Sequence, residues 1–254
     1  MFGVGFFSGD SGLVPAGRPT KPDSQPVFDW LPLFSRYGAV AGYFMAPLAN
    51  AGVDSSLLAQ LGWLSQSACS TPALSASRLP KSCHGSDTIL LVRVAAIRLL
   101  NELSLAEIID TASTLGRSGY RLAVFLSDRE LGDSGCLRQL RRALFRLSDA
   151  GVVPVISDPV EDLASVHLGV RMIRRAASII AVTPEWLGIG DTEAYFDRPL
   201  YLARSRQLRR LAHENAACLM FDGVASEWHM NFLASLPFTL HGGPADLTLL
   251  RVSA

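Results

Sequence analysis

Acidic residues, a serine and a histidine lie close together after one apolar run of the chain, and these residue types carry acid–base and nucleophilic chemistry. Asp158, Glu161 and Asp162 have the oxygen atoms that a cation requires. Acidic residues at the start of a helix also cap its N–H groups, which is the simpler interpretation. Ser157 and His167 complete the residue types of a hydrolase triad with Asp162. No G-x-S-x-G elbow presents that serine, so the pattern does not support a triad.

The cysteines give no sign of a metal site or of disulfides. They are scattered without a C-x-x-C pair, which is typical of reduced, buried thiols. No glycine-rich phosphate loop follows an early apolar run either, so the sequence predicts neither a metal nor a cofactor. The four cysteines are Cys69, Cys83, Cys136 and Cys218.

The composition excludes several classes of function. The chain has 254 residues, 49% of them hydrophobic, which is enough for a large buried core. Its 23 Lys and Arg balance 23 Asp and Glu, so no net field attracts nucleic acid, and we expect no nucleic-acid partner. The apolar runs are much shorter than the roughly 20 residues that cross a bilayer. The N-terminus lacks a basic segment before its apolar residues, so we expect no secretory signal, no membrane span and a cytoplasmic protein.

Short apolar runs alternate with helical patterns along most of the chain. Each run is almost continuously apolar, which is typical of parallel strands covered by helices on both faces. The runs predict strands at 25–28, 39–45, 89–94, 121–127, 152–157, 178–183, 217–221 and 238–240. The amphipathic segments predict helices at 55–67, 104–115, 137–150, 163–174, 199–215 and 227–236.

About eight such units favour an α/β fold of the closed, TIM-barrel-like (β/α) type over an open sheet. Residues 1–24 are rich in glycine and proline and are interpreted as a flexible N-terminal arm, which leaves 25–254 as a single barrel domain. Chemistry in such barrels lies at the C-terminal ends of the strands, so the residues just after each run are the ones to inspect.

The order of residues at these strand ends resembles the EAL domain family, the bacterial phosphodiesterases and receptors of cyclic di-GMP. The opening QPVFDWLPLFSRYGAVAGYFM is similar to the strand and loop that lead to the family's Gly-Tyr-Glu-Ala-Leu motif. The segments LAVFLSD, VPVISD, LMFDGV and TLHGG resemble later strand ends of the family in the same order. The resemblance covers about 25–243 and implies a barrel whose first strand is antiparallel.

The positions where EAL enzymes hold metal have changed. Active members bind two divalent cations through carboxylates and an asparagine, because metal-bound water must become hydroxide at neutral pH. The matching ligand positions carry Phe44, Arg93, Phe125 and Ser157. The catalytic lysine and the aspartate after it are replaced by Ala181 and Thr183. The resemblance therefore implies no catalytic residue, no metal and no enzyme activity.

Four residues at the strand ends remain candidates for ligand binding: Arg93, Asp158, Asp222 and His241. The guanidinium of Arg93 opposes dications, and we expect it to pair with Asp158 or Asp128, with a grip on a ligand phosphate as the alternative. His241 stands where the family has glutamine and could stack on a base. A single loop histidine is more often incidental.

The resemblance then implies a catalytically inactive EAL-like pseudoenzyme that acts through protein–protein contacts in cyclic di-GMP-linked regulation of motility or biofilm. The regulatory protein partner is not identified by the sequence, and a homodimer is compatible with the family. The arm at 1–24 and the Arg-rich faces of the helices at 137–150 and 199–215 are the candidate surfaces, although such faces are often simply solvated. A non-hydrolysing cyclic di-GMP receptor is the alternative, and a residual phosphodiesterase is a third. Ala46, Pro47 and Leu48 replace the arginine and leucines with which receptors of the family grip the nucleotide.

Overall fold

The strands of the chain form a closed barrel in which each strand lies beside the next in chain order. The computed structural model describes residues 28–47, 60–62, 64–65, 88–127, 136–159, 175–233 and 235–243. The eight strands are β1 (Phe28–Ser35), β2 (Val40–Pro47), β3 (Thr88–Arg93), β4 (Tyr120–Ser127), β5 (Val153–Ser157), β6 (Ile179–Val182), β7 (Cys218–Phe221) and β8 (Leu240–Gly242).

The first strand runs against both of its neighbours. β1 pairs antiparallel with β2 and with β8, whereas every pair from β2 to β8 is parallel. The predicted barrel and the predicted antiparallel first strand are therefore confirmed. The run predicted at 25–28 misses most of this strand, which extends over Phe28–Ser35, while 25–27 lie outside the described residues. Pro32 lies inside β1 and has no N–H for the ladder, which weakens the strand pattern in this segment.

Helices cover the outside of the barrel between the parallel strands. They are α1 (Glu102–Gly116), α2 (Leu137–Asp149), α3 (Arg198–Asn215) and α4 (Glu227–Leu233), with a short 3-10 segment at Ala96–Leu100. The side chain of Asn101 caps α1 by accepting from the N–H groups of Leu103 and Ser104. Residues 60–62 and 64–65 are helical within the helix predicted at 55–67, while the helix predicted at 163–174 and the arm at 1–24 lie outside the described residues.

The inside of the barrel is filled by apolar side chains. This inner core consists of Leu33, Leu91, Ala123, Phe125, Val153, Val155, Ile179, Ala181 and Met220. Because side chains alternate across a strand, the residues two positions later on these strands line the barrel mouth. A second apolar layer, between sheet and helices, holds the helices in place.

Two of the four cysteines lie among the described residues. Cys136 and Cys218 are exposed free thiols, so the prediction of buried cysteines is wrong for these two, since Cys136 precedes α2 and Cys218 begins β7. Among the described residues, no helix combines the length and the apolar character needed to span a bilayer.

Candidate functional site

The mouth of the barrel at the C-terminal ends of the parallel strands brings together all of the predicted site residues except His241. Each of β3, β5, β6 and β7 has an inner-core residue, and the residue two positions later lies at the mouth. These mouth residues are Arg93, Ser157, Thr183 and Asp222. Phe44 packs against the inner core beside Phe125, with the two rings perpendicular and their centroids 6.1 Å apart. The residues that were predicted to replace metal ligands therefore lie around one opening.

Arg93 lies over the two aromatic rings of the mouth. Its guanidinium carbon is 5.2 Å from the centroid of Phe125 and 5.9 Å from that of Phe44, within the range of cation–π attraction. The predicted ion pair with Asp158 is wrong: no such pair occurs among the described residues, because the guanidinium rests on the rings instead. The other predicted partner, Asp128, lies outside the described residues.

Asp222 is the carboxylate that Arg93 influences. Burial raises the pKa of Asp222 above its ordinary value, and the Arg93 guanidinium opposes part of that rise. The negative charge of Asp158 raises the pKa of Asp222 further, so these two carboxylates are electrostatically coupled across the mouth. The backbone N–H of Asp222 donates to the carbonyl of Val182 at 2.9 Å, which fixes the carboxylate at the end of β7.

A pocket of about 310 Å³ opens beside Asp222, where β1 and β8 close the barrel. Its walls are apolar side chains and glycine backbone, and Asp222 supplies the one charged side chain among its lining residues. The lining consists of Leu31, Pro32, Leu33, Phe44, Asp222, Gly223, Val224, Ala225, Gly242 and Gly243.

Asp158 stabilises the turn that follows β6. Its Oδ1 accepts from the backbone N–H of Thr183 at 3.1 Å and from the Thr183 hydroxyl at 3.4 Å. Asp158 itself has a φ of +44°, a left-handed conformation that aspartate tolerates better than most residues. Burial raises the pKa of Asp158, and the bonds from Thr183 offset part of this rise. The geometry gives Asp158 a structural task at the rim of the mouth.

The turn held by Asp158 continues to a tryptophan that the sequence did not single out for this role. The hydroxyl of Thr183 accepts from the N–H of Trp186 at 3.2 Å, and the indole N–H of Trp186 donates to the carbonyl of Pro159 at 3.0 Å. Arg204 of α3 lies 4.9 Å from the Trp186 ring centroid and donates to the Trp186 carbonyl. The sequence signal for this turn is Thr183-Pro184-Glu185, a threonine followed by residues that are typical of a capped turn.

His241 does not reach the mouth. Its neighbour Leu240 packs against the inner core, so alternation along β8 places the His241 side chain on the outer face of the sheet. There it is buried and stacks on Phe34, with ring centroids 5.4 Å apart. The last strand spans Leu240–Gly242 rather than the predicted 238–240, so His241 lies within the strand and not after its end.

The residues present do not fit a pair of divalent cations of the kind that active EAL enzymes bind. Among the described residues, no group of three or more His, Cys, Asp or Glu side chains is arranged to hold a metal. Hard dications need oxygen ligands, and the rings of Phe44 and Phe125 and the guanidinium of Arg93, at three of the matching ligand positions, offer none. The acidic pair Glu161 and Asp162 lies outside the described residues.

Solved structures show what this barrel is similar to. The PaMucR phosphodiesterase in complex with c-di-GMP aligns with a TM-score of 0.59 at 15% identity, covering 87% of this chain and 94% of that one. The EAL domain of Mycobacterium smegmatis DcpA aligns with a TM-score of 0.58 at 14% identity, covering 90% and 96%. The barrel has an EAL-like fold.

A longer protein shows the same likeness. Klebsiella pneumoniae BlrP1, in a complex with manganese and c-di-GMP, aligns with a TM-score of 0.62 at 14% identity. That alignment covers 90% of this chain and 57% of BlrP1, so this EAL-like barrel corresponds to part of that protein. No protein-family model matches the sequence, and no curated protein matches it. The likeness therefore rests on the fold.

Proposed function

We propose that this chain is a catalytically inactive EAL-like protein that acts through protein contacts in cyclic di-GMP-linked signalling. The observation that carries the proposal is the position of Arg93 over Phe44 and Phe125 at the barrel mouth. A guanidinium remains protonated in proteins, so it keeps a positive charge where active relatives hold two dications. Phenyl rings offer no lone pair to a metal, so Phe44 and Phe125 cannot replace the oxygen ligands that a metal-activated water requires.

A surface formed by α2 and its neighbours supports action through protein contacts. Phe145 of α2 is 52% exposed, and Arg142 and Arg138 precede it by three and seven positions, which places them on the same face of the helix. The neighbouring Ile97 and Leu103 are 67% and 81% exposed. We call Ile97, Leu103, Arg138, Arg142 and Phe145 the α2 surface. Exposed aromatic residues and arginine are enriched at protein interfaces.

A groove lies beside this surface, between α2 on one side and the end of the 3-10 segment with the start of α1 on the other. Its volume is about 310 Å³, and Arg142, Arg146, Gln139 and Glu102 contribute polar side chains to its lining. Arg146 donates from Nη1 to both carboxylate oxygens of Glu102, at 3.0 and 2.7 Å, and this bridge ties α2 to the start of α1. Exposed arginines around a groove favour a partner segment that carries carboxylates together with apolar side chains.

Two measurements test the proposal. Purified protein incubated with cyclic di-GMP and Mn²⁺ or Mg²⁺ is expected to yield no linear dinucleotide, and product whose formation is lost in Asp158→Asn or Asp222→Asn would instead establish a phosphodiesterase. For the contact surface, affinity capture with the unchanged chain is compared with Arg142→Glu/Phe145→Ala. Arg36→Glu/Tyr37→Ala in the turn between β1 and β2 is the matched control, since it makes the same change of charge and the same loss of an exposed ring away from both Arg-rich helices.

A cyclic di-GMP receptor is the second candidate, and Arg93 favours it, because its guanidinium keeps a positive charge at the barrel mouth that could meet a phosphate. Its test is calorimetric titration with cyclic di-GMP, once with EDTA and once with Mg²⁺. A saturable signal with EDTA, lost in Arg93→Ala, would support the receptor. Silence in both titrations, with capture of a partner that depends on the α2 surface, would support the interaction protein.

A further inference from the structure

The pocket beside Asp222 has the properties of a small-molecule site. Its volume of about 310 Å³ suits a single ring with a short substituent, since ligand pockets start at about 300 Å³. Leu31, Leu33 and Val224 give it hydrocarbon walls, and Phe44 gives it an aromatic one. An apolar pocket with one well-placed polar group is the common form of such sites.

The charge of the pocket decides what kind of ligand it suits. Asp222 is the single charged residue of the lining, and Arg93, although it acts on Asp222, is not among the lining residues. A carboxylate taken partly out of water is stabilised by a cation that donates hydrogen bonds to it. An anionic ligand would meet repulsion at the same place.

Glycine keeps the approach to this carboxylate open. A Cβ atom at position 242 would lie 3.1 Å from Oδ1 of Asp222 and 3.5 Å from Cδ2 of Leu33. Any side chain at 242 would therefore occupy the space next to the carboxylate. Position 243 requires glycine for a different reason, because a Cβ atom there would lie 2.5 Å from the carbonyl oxygen of Val224.

We propose that this pocket binds a small organic cation, an amine or amidine attached to an apolar or aromatic body. The cationic group donates hydrogen bonds to the Asp222 carboxylate, and the apolar body lies against Phe44, Leu33 and Val224. This inference is independent of the proposed protein contacts, because it rests on a pocket between β1 and β8 rather than on the α2 surface.

Benzamidine is the probe for this site, since it joins an amidinium to a single ring. Calorimetric titration compares it with benzyl alcohol, which is uncharged, and with benzoate, which is an anion. We expect saturable binding of benzamidine, affinity about tenfold lower for benzyl alcohol and no binding of benzoate.

Two variants and one control locate the binding. Asp222→Asn removes the charge with little change of shape, and Gly242→Ala adds one methyl group beside the carboxylate; each is expected to weaken benzamidine about tenfold. Glu185→Gln is the control, because Glu185 acts on Asp222 electrostatically but lies outside the lining, and it should change the affinity less than about twofold. Thermal melts establish that each variant is folded. Absence of benzamidine binding up to millimolar concentrations, or equal binding by folded Asp222→Asn, would overturn the proposal.

Discussion

Asp158 joins the ends of two neighbouring strands by accepting hydrogen bonds from the backbone N–H and the hydroxyl of Thr183, 25 positions later in the chain. The residue therefore supports the rim of the barrel mouth while its own backbone is left-handed. The position of Asp158 directly after β5 predicts a ligand-binding residue. Its hydrogen bonds show that its carboxylate already has a structural partner.

Substitution of Asp158 should separate its structural role from its charge. Asp158→Ala leaves the Thr183 N–H and hydroxyl without this acceptor and puts alanine at a left-handed φ, so we expect a loss of about 2 kcal/mol of unfolding free energy. Asp158→Asn keeps an acceptor oxygen and tolerates the same backbone, and it should cost less than about 1 kcal/mol. Urea denaturation measures both. Equal losses in the two variants would contradict this role.

Arg93 is expected to act on both stability and electrostatics. Arg93→Ala removes two cation–π contacts and should lower the unfolding free energy by about 1 kcal/mol. It should also raise the pKa of Asp222 further, because Arg93 is the positive charge that now opposes the effect of burial. The control is Arg93→Lys, which retains a charge. NMR titration of the Asp222 carboxyl carbon reports the pKa, and an unchanged value in Arg93→Ala would refute the coupling.

The raised pKa of Asp222 predicts how stability depends on pH. The folded chain holds the proton of this carboxyl more tightly than the unfolded chain does, so its contribution is most favourable below the ordinary aspartate value of about 3.9 and falls as pH rises through the folded pKa. Asp222→Asn should remove this fall and be more stable than the unchanged chain at neutral pH.

Denaturation curves from about pH 3.5 to 7 for the two proteins measure the difference directly. Asp158 has a pKa raised in the same direction, so part of the slope should persist in Asp222→Asn and decrease further when Asp158→Asn is added. A difference between the unchanged chain and Asp222→Asn that does not vary with pH would show that burial does not govern this carboxyl.

Gly42 should be the least replaceable residue of β2. A Cβ atom there would collide with the carbonyl oxygen of Ile89, its partner in β3, so the two backbones approach closely only because position 42 lacks a side chain. Gly42→Ala is expected to cost about 1–3 kcal/mol through forced separation of the strands. Gly116→Ala is the control, because open space surrounds that position at the end of α1 and alanine favours a helix. Thermal melts distinguish the two, and similar melting temperatures would contradict the close approach.

Much of the barrel could be predicted from the sequence because its parallel strands are buried on both faces. Buried strands are continuously apolar, and the apolar runs predict β3 to β7 within one residue at each end. The predicted helix at 137–150 ends one residue beyond α2 for a similar reason, since its leucines recur at helical spacing. The local pattern of apolar residues is sufficient to predict a strand or helix where that pattern reflects burial.

The first and last strands, and with them part of the site, could not be predicted in this way. β8 has three residues, too few to show an alternating pattern, and it extends to Gly242, so His241 lies inside the strand instead of after its predicted end. The pocket at Asp222 depends on the pairing of β1 with β8, which no local pattern reveals. The contact of Arg93 with Phe44 and Phe125 likewise depends on three strands meeting at the mouth.

The pairing of β1 with β8 also has a kinetic consequence. β1 and β2 form a hairpin between neighbours in sequence, whereas β1 and β8 meet through three residue pairs that join opposite ends of the strand order. Bringing such distant segments together costs loop-closure entropy before any hydrogen bond between them forms. The pairing of β1 with β8 is therefore expected to follow assembly of the parallel strands. A cation held at Asp222 would connect the two sides of this seam and slow its opening. Occupancy of the pocket is therefore expected to lower the rate of unfolding.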